Sequence, residues 1–491
     1  MQITSRKAAT PHHSINEAAL EGCEKALRLK DRGDYEGAQA AMRRFWKGFG
    51  ERPDTTGLQA PVAAEVLLCV GILTGWIGSR NEDGEADGTA KDLITEAITY
   101  FESAGDVKKV AAAQSELAFS YWRSGALDEA RIMFTEALQK LTAPGNTRAH
   151  ALLGLSVVEW SDCRHDEALK VLTENAALFK KIANHTLKGF YHNQLAMVLR
   201  KLITPKNQRD NFQRIITEYQ EADRQFKLAR NTIFRAHVKN NIGNLLRELS
   251  RFKEAHEYLD QARRLTVRVR DRVRTAQVDQ TRAHVMIAQA HYKDAAKVAR
   301  LAARSFEKAG RQRLLLDALI TLGIALSRLR RIEEARFTFQ RAIEVALQVD
   351  VPKQAGLAAL AMMEELDDLP IQTLAVAYKR ANEWLADSQS PDLLQRVNAV
   401  ASKLLARLQI ELVAEESAEA IRNRPLDFDQ ELLRYENELI KRALAQANGS
   451  LTRAATNLSM SYQKLAYILE TRHKDLLKER TPIRRRTPKV R

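Results

Sequence analysis

The chain has 491 residues, 45% of them hydrophobic and 28% charged, with 11 prolines and 21 glycines. That balance excludes a disordered or fibrous chain, and the scarcity of breakers favours helix throughout. The net charge of +15 is unevenly placed: from Leu439 to the end thirteen Lys/Arg stand against three Asp/Glu, a net of +10, while the preceding 438 residues carry +5. Positive charge gathered in a terminal stretch points to an anionic partner, of which nucleic acid is the usual one.

Met1 to Ser14 is polar and lacks the apolar stretch of a signal peptide. The longest apolar run, Val66 to Ile77, is interrupted by Gly71 and Gly75 and falls short of the roughly 20 residues a membrane span needs. It is expected to be a buried helix, with no membrane partner. Cys23, Cys69 and Cys163 lie far apart along the chain and form no CxxC pair, which suits a reducing, cytoplasmic compartment.

Repeats come next. Gly33, Tyr35, Ala38, Met42 and Phe45 mark one unit. Leu117-Ala118, Tyr121, Gly125, Leu127, Ala130, Phe134 and Ala137 mark the clearest. Ile242-Gly243, Leu246, Phe252, Ala255, Leu259 and Ala262 mark a third, and Leu322-Gly323, Leu326, Ile332, Ala335, Phe339 and Ala342 a fourth. The small residues suit helix crossings, and the large ones suit the gaps between hairpins. These spacings resemble tetratricopeptide repeats, helix hairpins of roughly 34 residues. The resemblance spans about residues 15–385 and implies a scaffold that binds a peptide or protein segment on a concave face. A small residue on the second helix recurs as Ala38, Ala90, Ala130, Ala168, Ala222, Ala255, Ala295 and Ala335, mostly at steps near 40 residues. Such units need extended helices or loops. The two longest steps are expected to hold insertions at Asn81–Gly88, an acidic loop, and Thr204–Asn211, around Pro205.

In repeats of this type certain first-helix positions face the groove. Counted on the pattern, they hold Asn193 and Arg200, then Asn240, Asn244 and Arg247, then Gln280 and His284. Amides can grip a peptide backbone whatever its sequence, and arginine can hold a carboxylate with two parallel bonds. The ordinary alternative is a hydrated polar face.

Ser390-Pro391-Asp392 starts a helix expected to run to about Val413. Residues 414–428, containing Pro425, read as a linker. A long helix from Glu431 to Ala447 stops at Asn448-Gly449. Ser450 can cap a helix over Leu451–Leu458. Ser459-Met460-Ser461 makes a turn, and Ser461 can cap a third helix from Tyr462 to about His473. Leu451, Ala454, Ala455 and Leu458 form one apolar stripe, and Leu465, Ile468 and Leu469 another.

This segment resembles the Fis-type helix-turn-helix at the C-terminus of many bacterial transcription activators. The likeness rests on Glu438-Leu439-Ile440, Arg442-Ala443-Leu444, Asn448-Gly449-Ser450, Ala454-Ala455, Leu458, Met460-Ser461, Leu465 and Leu469. Ser459, Tyr462 and Ile468 depart from the family's usual glycine, arginine and basic residue, so its base preference does not carry over. With the stripe turned inward, Gln463, Lys464, Tyr467 and Lys474 face outward. Gln463 can pair with an adenine edge; Lys464, Arg472 and Lys474 suit phosphates. The expected DNA-contacting set is Thr452, Arg453, Ser461, Tyr462, Gln463, Lys464, Tyr467, Arg472 and Lys474, with Arg484, Arg485 and Arg486 of a basic tail.

The expected architecture is all-α: a tetratricopeptide-type solenoid with capping helices over 15–413, a linker, a Fis-type helix-turn-helix over 429–477 and a basic tail over 478–491. No phosphate loop, HExxH, GxSxG or zinc-spaced cysteine pair occurs, so neither an enzyme nor a metal or cofactor is expected. The reading is a regulator that binds double-stranded DNA and senses a peptide or protein. The apolar residues Leu432, Leu433, Leu439, Ile440, Ala443 and Leu444 lie on more than one helix face, and a homodimer is expected. The alternative is an adaptor whose basic end binds an acidic protein.

Overall fold

The computed structural model describes residues 14–81, 85–203, 208–366, 369–386, 390–422 and 427–479, all helices and connections with no strand among them. They divide into two compact units at Leu404.

In the first unit α1 (Ile15–Asp31) pairs with α2 (Tyr35–Ala41), α3 (Ala60–Asn81) with α4 (Glu85–Ser103), α5 (Val107–Arg123) with α6 (Leu127–Lys140), and α7 (Asn146–Ser161) with α8 (His165–Glu174). The short α9 (Ala176–Lys181) intervenes. Then α10 (His185–Lys201) pairs with α11 (Gln208–Leu228), α12 (Thr232–Glu248) with α13 (Phe252–Arg268), α14 (Arg272–Ala288) with α15 (Tyr292–Lys308), α16 (Gln312–Arg328) with α17 (Ile332–Gln348), and α18 (Pro352–Glu365) with α19 (Ile371–Leu385). α20 (Pro391–Arg422) follows.

The recurring alanines explain the pairing. Ala38, Ala90, Ala130, Ala168, Ala222, Ala255, Ala295 and Ala335 each sit on a second helix, and all are completely buried. Glycines on first helices serve the same contact from the other side. A Cβ at Gly323 would meet Phe339 Cε1 at 2.7 Å, and one at Gly243 would meet Leu259 Cγ at 2.6 Å. Phe339 therefore fills the crossing within its own hairpin, where the sequence suggested the gap to the next. Phe134 does reach the next hairpin: its ring edge lies 2.2 Å from where a Cβ on Gly154 would stand.

The 40-residue units gain their length in the helices. α12 through α17 are each 17 residues long. The joints between them are uniform: Arg230, Ser250, Arg270, Ala290, Gly310, Arg330 and Asp350, spaced twenty apart, all have φ between 52° and 66°. At Ser250 the N–H donates to the Arg247 carbonyl at 3.0 Å and the next N–H, of Arg251, to Leu246 at 2.9 Å. This left-handed cap satisfies the last carbonyls and ends each helix at the same place.

Three expectations are corrected. Much of the extra length before Ala90 lies in residues 42–59, which contain no helix and bury Trp46, and α4 already starts at Glu85. The long step before Ala222 includes α9, and α11 already begins at Gln208; residues 82–84 and 204–207 lie outside the described residues. α20 runs to Arg422, through much of the stretch expected to be a linker, because Ala414 to Ile421 is rich in alanine and glutamate, good helix formers.

By length and composition α3 could cross a membrane over Ala60–Arg80, so its run length does not exclude a span. Most of that window is instead buried, in a core shared with α1, α4 and α5. That core also brings Cys23 and Cys69 together: the Cys69 thiol lies 3.8 Å from the Cys23 carbonyl. A hydrogen bond to Cys23 and burial raise the Cys69 pKa well above the usual thiol value, which leaves it protonated and unreactive.

The second unit holds α21 (Phe428–Gln446), α22 (Leu451–Asn457), α23 (Tyr462–Thr471) and a 3-10 turn, Lys474–Glu479. Ile440, Ala443, Leu444, Leu451, Ala454, Ala455, Leu465, Ile468 and Leu469 form its core.

Candidate functional site

First helices of successive hairpins pack on one another, α12 on α14, α14 on α16 and α16 on α18, which places them along the inner side of the array. The expected groove residues lie on the first helices α10, α12 and α14, but most already have partners. Arg200 of α10 holds Glu248 of α12 with two bonds, Nε to Oε2 at 3.0 Å and Nη2 to Oε1. Arg247 donates to Asn244 Oδ1 at 3.0 Å and also meets Glu248, at 3.4 Å. The carboxylate expected from a ligand is thus supplied by the chain itself. Asn193 is buried; its Oδ1 accepts from Asn241 Nδ2 at 3.3 Å.

Asn240 differs. Its Oδ1 is buried without a hydrogen-bond partner. Gln280 is half-buried on α14. His284 Nε2 lies 2.8 Å from Thr321 Oγ1, whose own proton goes to the Asp317 carbonyl at 2.8 Å. Nε2 must therefore carry the imidazole proton. Burial, with the Arg247 charge nearby, pushes the His284 pKa down to about 4. Glu248, Asn241 and Thr321 were not legible as groove residues, because each becomes a partner only across neighbouring hairpins.

In the second unit α21 ends in two left-handed residues, Asn448 (φ 50°) and Gly449 (φ 76°). Ser450 stands at the start of α22, but its side chain makes no capping bond. The turn carries Ser459 at φ 55°. Ser461 caps α23, its hydroxyl accepting from the Lys464 N–H at 3.2 Å. Leu465, Ile468 and Leu469 point inward, leaving Tyr462, Gln463 and Lys464 exposed at the start of α23 and Tyr467 exposed one turn further on. Thr452 and Arg453 are exposed on α22, and Lys474 on the 3-10 turn. Arg472 is exposed but meets Glu436 at 3.4 Å. Arg484, Arg485 and Arg486 lie outside the described residues.

α23 is shorter than expected, ending at Thr471, and His473 folds back onto α21. It is buried between Glu436 Oε2 at 3.1 Å and Asn437 Nδ2 at 3.0 Å. On α21, Phe428, Leu432 and Tyr435 are 77%, 53% and 64% exposed; at this spacing they share one helix face.

Tetratricopeptide-repeat family profiles match residues 235–271 and 316–348, which are the α12–α13 hairpin and most of α16–α17. These segments are tetratricopeptide repeats. No curated protein sequence matches the chain. Among solved structures it is similar to a signal transduction ATPase with numerous domains bearing a tetratricopeptide repeat sensor, from Pyrococcus horikoshii: 12% identity, TM-score 0.50, covering 76% of this chain and 55% of that one. The chain thus spans about half the length of that protein. It is also similar to the apo quorum sensor NprR of B. thuringiensis (13%, TM-score 0.47, covering 68% of this chain and 89% of that one). A Rap protein complexed with competence and sporulation factor matches at 11% and TM-score 0.45, over 68% of this chain and 99% of that one.

Proposed function

We propose that this chain is a cytoplasmic DNA-binding transcriptional regulator without enzymatic activity. Its repeat array binds a peptide or protein partner, and its C-terminal unit acts as a Fis-type helix-turn-helix. The observation that carries the reading is the exposed row on α23, with Tyr462, Gln463 and Lys464 at its capped start and Tyr467 one turn further on. In such motifs the first residues of the second helix reach base edges in the major groove. An adaptor surface has no need of amide and phenol groups held at a capped helix start. The excess of positive charge after Leu439 supports contact with phosphates.

For the array, the support is the tetratricopeptide fold, which serves as a sensor in the Pyrococcus protein. The exposed face of Phe428, Leu432 and Tyr435 supports a homodimer through α21. Capture of genomic DNA on the full-length chain is the test. Enrichment of a defined set of fragments, lost on raising salt, is expected; uniform or absent recovery at low salt would end the regulator reading.

A further inference from the structure

Between α3, α4 and α5 on one side and α14 and the start of α16 on the other, the first unit holds a cavity of about 540 Å³. That volume suits a small molecule. Five arginines line it, Arg80, Arg123, Arg274, Arg311 and Arg313, against two acids, Asp87 and Asp271. Both acids are engaged: Asp87 Oδ1 accepts from Arg123 Nε at 3.3 Å, and Asp271 Oδ2 accepts from Arg274 Nη1 at 2.5 Å. Arg311 and Arg313 make interactions of their own as well, and by count the lining holds three more arginines than acids.

Arg123 is built into the wall. Its side chain is only 4% exposed. The guanidinium lies 5.1 Å over the Trp76 ring, and Nη2 donates to Ser120 Oγ at 2.6 Å. A Cβ on Gly75 would come within 2.2 Å of Nη2, so glycine there makes the room for it. Yet Nη1 is buried with no hydrogen-bond partner. A buried donor of a charged group left unpaired is costly, and structures seldom leave one without a reason.

We propose that this cavity binds a small polyanion, with Arg123 Nη1 donating to one of its oxygens and the surrounding arginines neutralising the rest of its charge. Phosphate and carboxylate oxygens both match the planar guanidinium fork. The arginines come from hairpins far apart in the chain, so the bound anion bridges early and late repeats. The site is separate from the Asn240 face and does not depend on the C-terminal unit reading DNA.

The test is calorimetric titration of the full-length protein with inorganic pyrophosphate and, in a second arm, with citrate. Arg123→Lys keeps the charge but removes the fork. Arg313→Glu reverses an exposed charge of the lining and leaves the core intact. Arg43→Glu makes the same charge change outside the lining. Saturable binding that falls about tenfold or more in both lining variants, but not in Arg43→Glu, is expected. Binding in the pyrophosphate arm assigns a phosphorylated ligand, and binding only in the citrate arm assigns a polycarboxylate. No binding in either arm, or equal weakening by Arg43→Glu, overturns the proposal.

Discussion

Asn231 Nδ2 donates to the backbone carbonyl of Asp31 at 2.7 Å, across 200 residues of chain. The same side chain caps α12, its Oδ1 accepting from the Phe234 N–H at 3.1 Å, and it is completely buried. Beside it, Ile233 Cδ1 stands 3.0 Å from where a Cβ on Gly33 would be. One amide thus both starts a helix and closes the first turn of the array onto its beginning.

The two roles separate by substitution. Asn231→Asp keeps the cap and loses the donor; Asn231→Ala loses both. Urea unfolding is expected to show Asn231→Ala destabilised by about 1–3 kcal/mol. Small-angle scattering should show both variants opening the N-terminal hairpins. A compact Asn231→Asp protein would mean that the contact at Asp31 follows closure and does not hold it.

The left-handed joints offer a gain in stability. Ala290 holds φ 60°, a region that costs a residue with a Cβ about 1 kcal/mol or more. Ala290→Gly is expected to stabilise the protein by several tenths to about 1 kcal/mol, since glycine's looser unfolded state offsets part of the relief. Thermal denaturation checks this, and a lowered midpoint would show that the joint is not strained. Helix pairing and the buried alanines are legible in the sequence because each depends on residues close in the chain. The joints are harder to read, because arginine, serine, alanine and aspartate occupy a backbone region where glycine is expected. The closure at Asp31 is illegible, since nothing local marks a partner 200 residues away.

His284 sets a pH dependence. Its folded pKa of about 4 lies below the ordinary 6.5. Between these values the unfolded chain takes up a proton that the folded chain refuses. The contribution is therefore fully present above about pH 6.5 and is lost as pH falls toward 4, by no more than about 3 kcal/mol. His284→Gln should flatten this part of the stability profile. An unchanged slope would assign the titration to another group.

Under the proposed function, Gln463 and Tyr467 carry base preference. Replacing either by alanine should shrink the gap between specific and random DNA by about 1–3 kcal/mol in competition binding. Equal loss on both DNAs would make these residues positioning contacts. The outward row on α23 is legible because the inward stripe of Leu465, Ile468 and Leu469 fixes the helix phase. The pairing of Arg472 with Glu436 is not, because it depends on how α21 packs.

The regular joints also bear on how such a chain can change length. Arg311 already follows a left-handed Gly310; removal of residues 271–310 would set it behind a left-handed Arg270 instead. A whole hairpin could therefore be lost or duplicated in the gene without a new turn being invented. What limits the number of repeats is then the ring of contacts that early and late hairpins must still reach. Copy number in the middle of the array is free to drift only as far as that meeting survives.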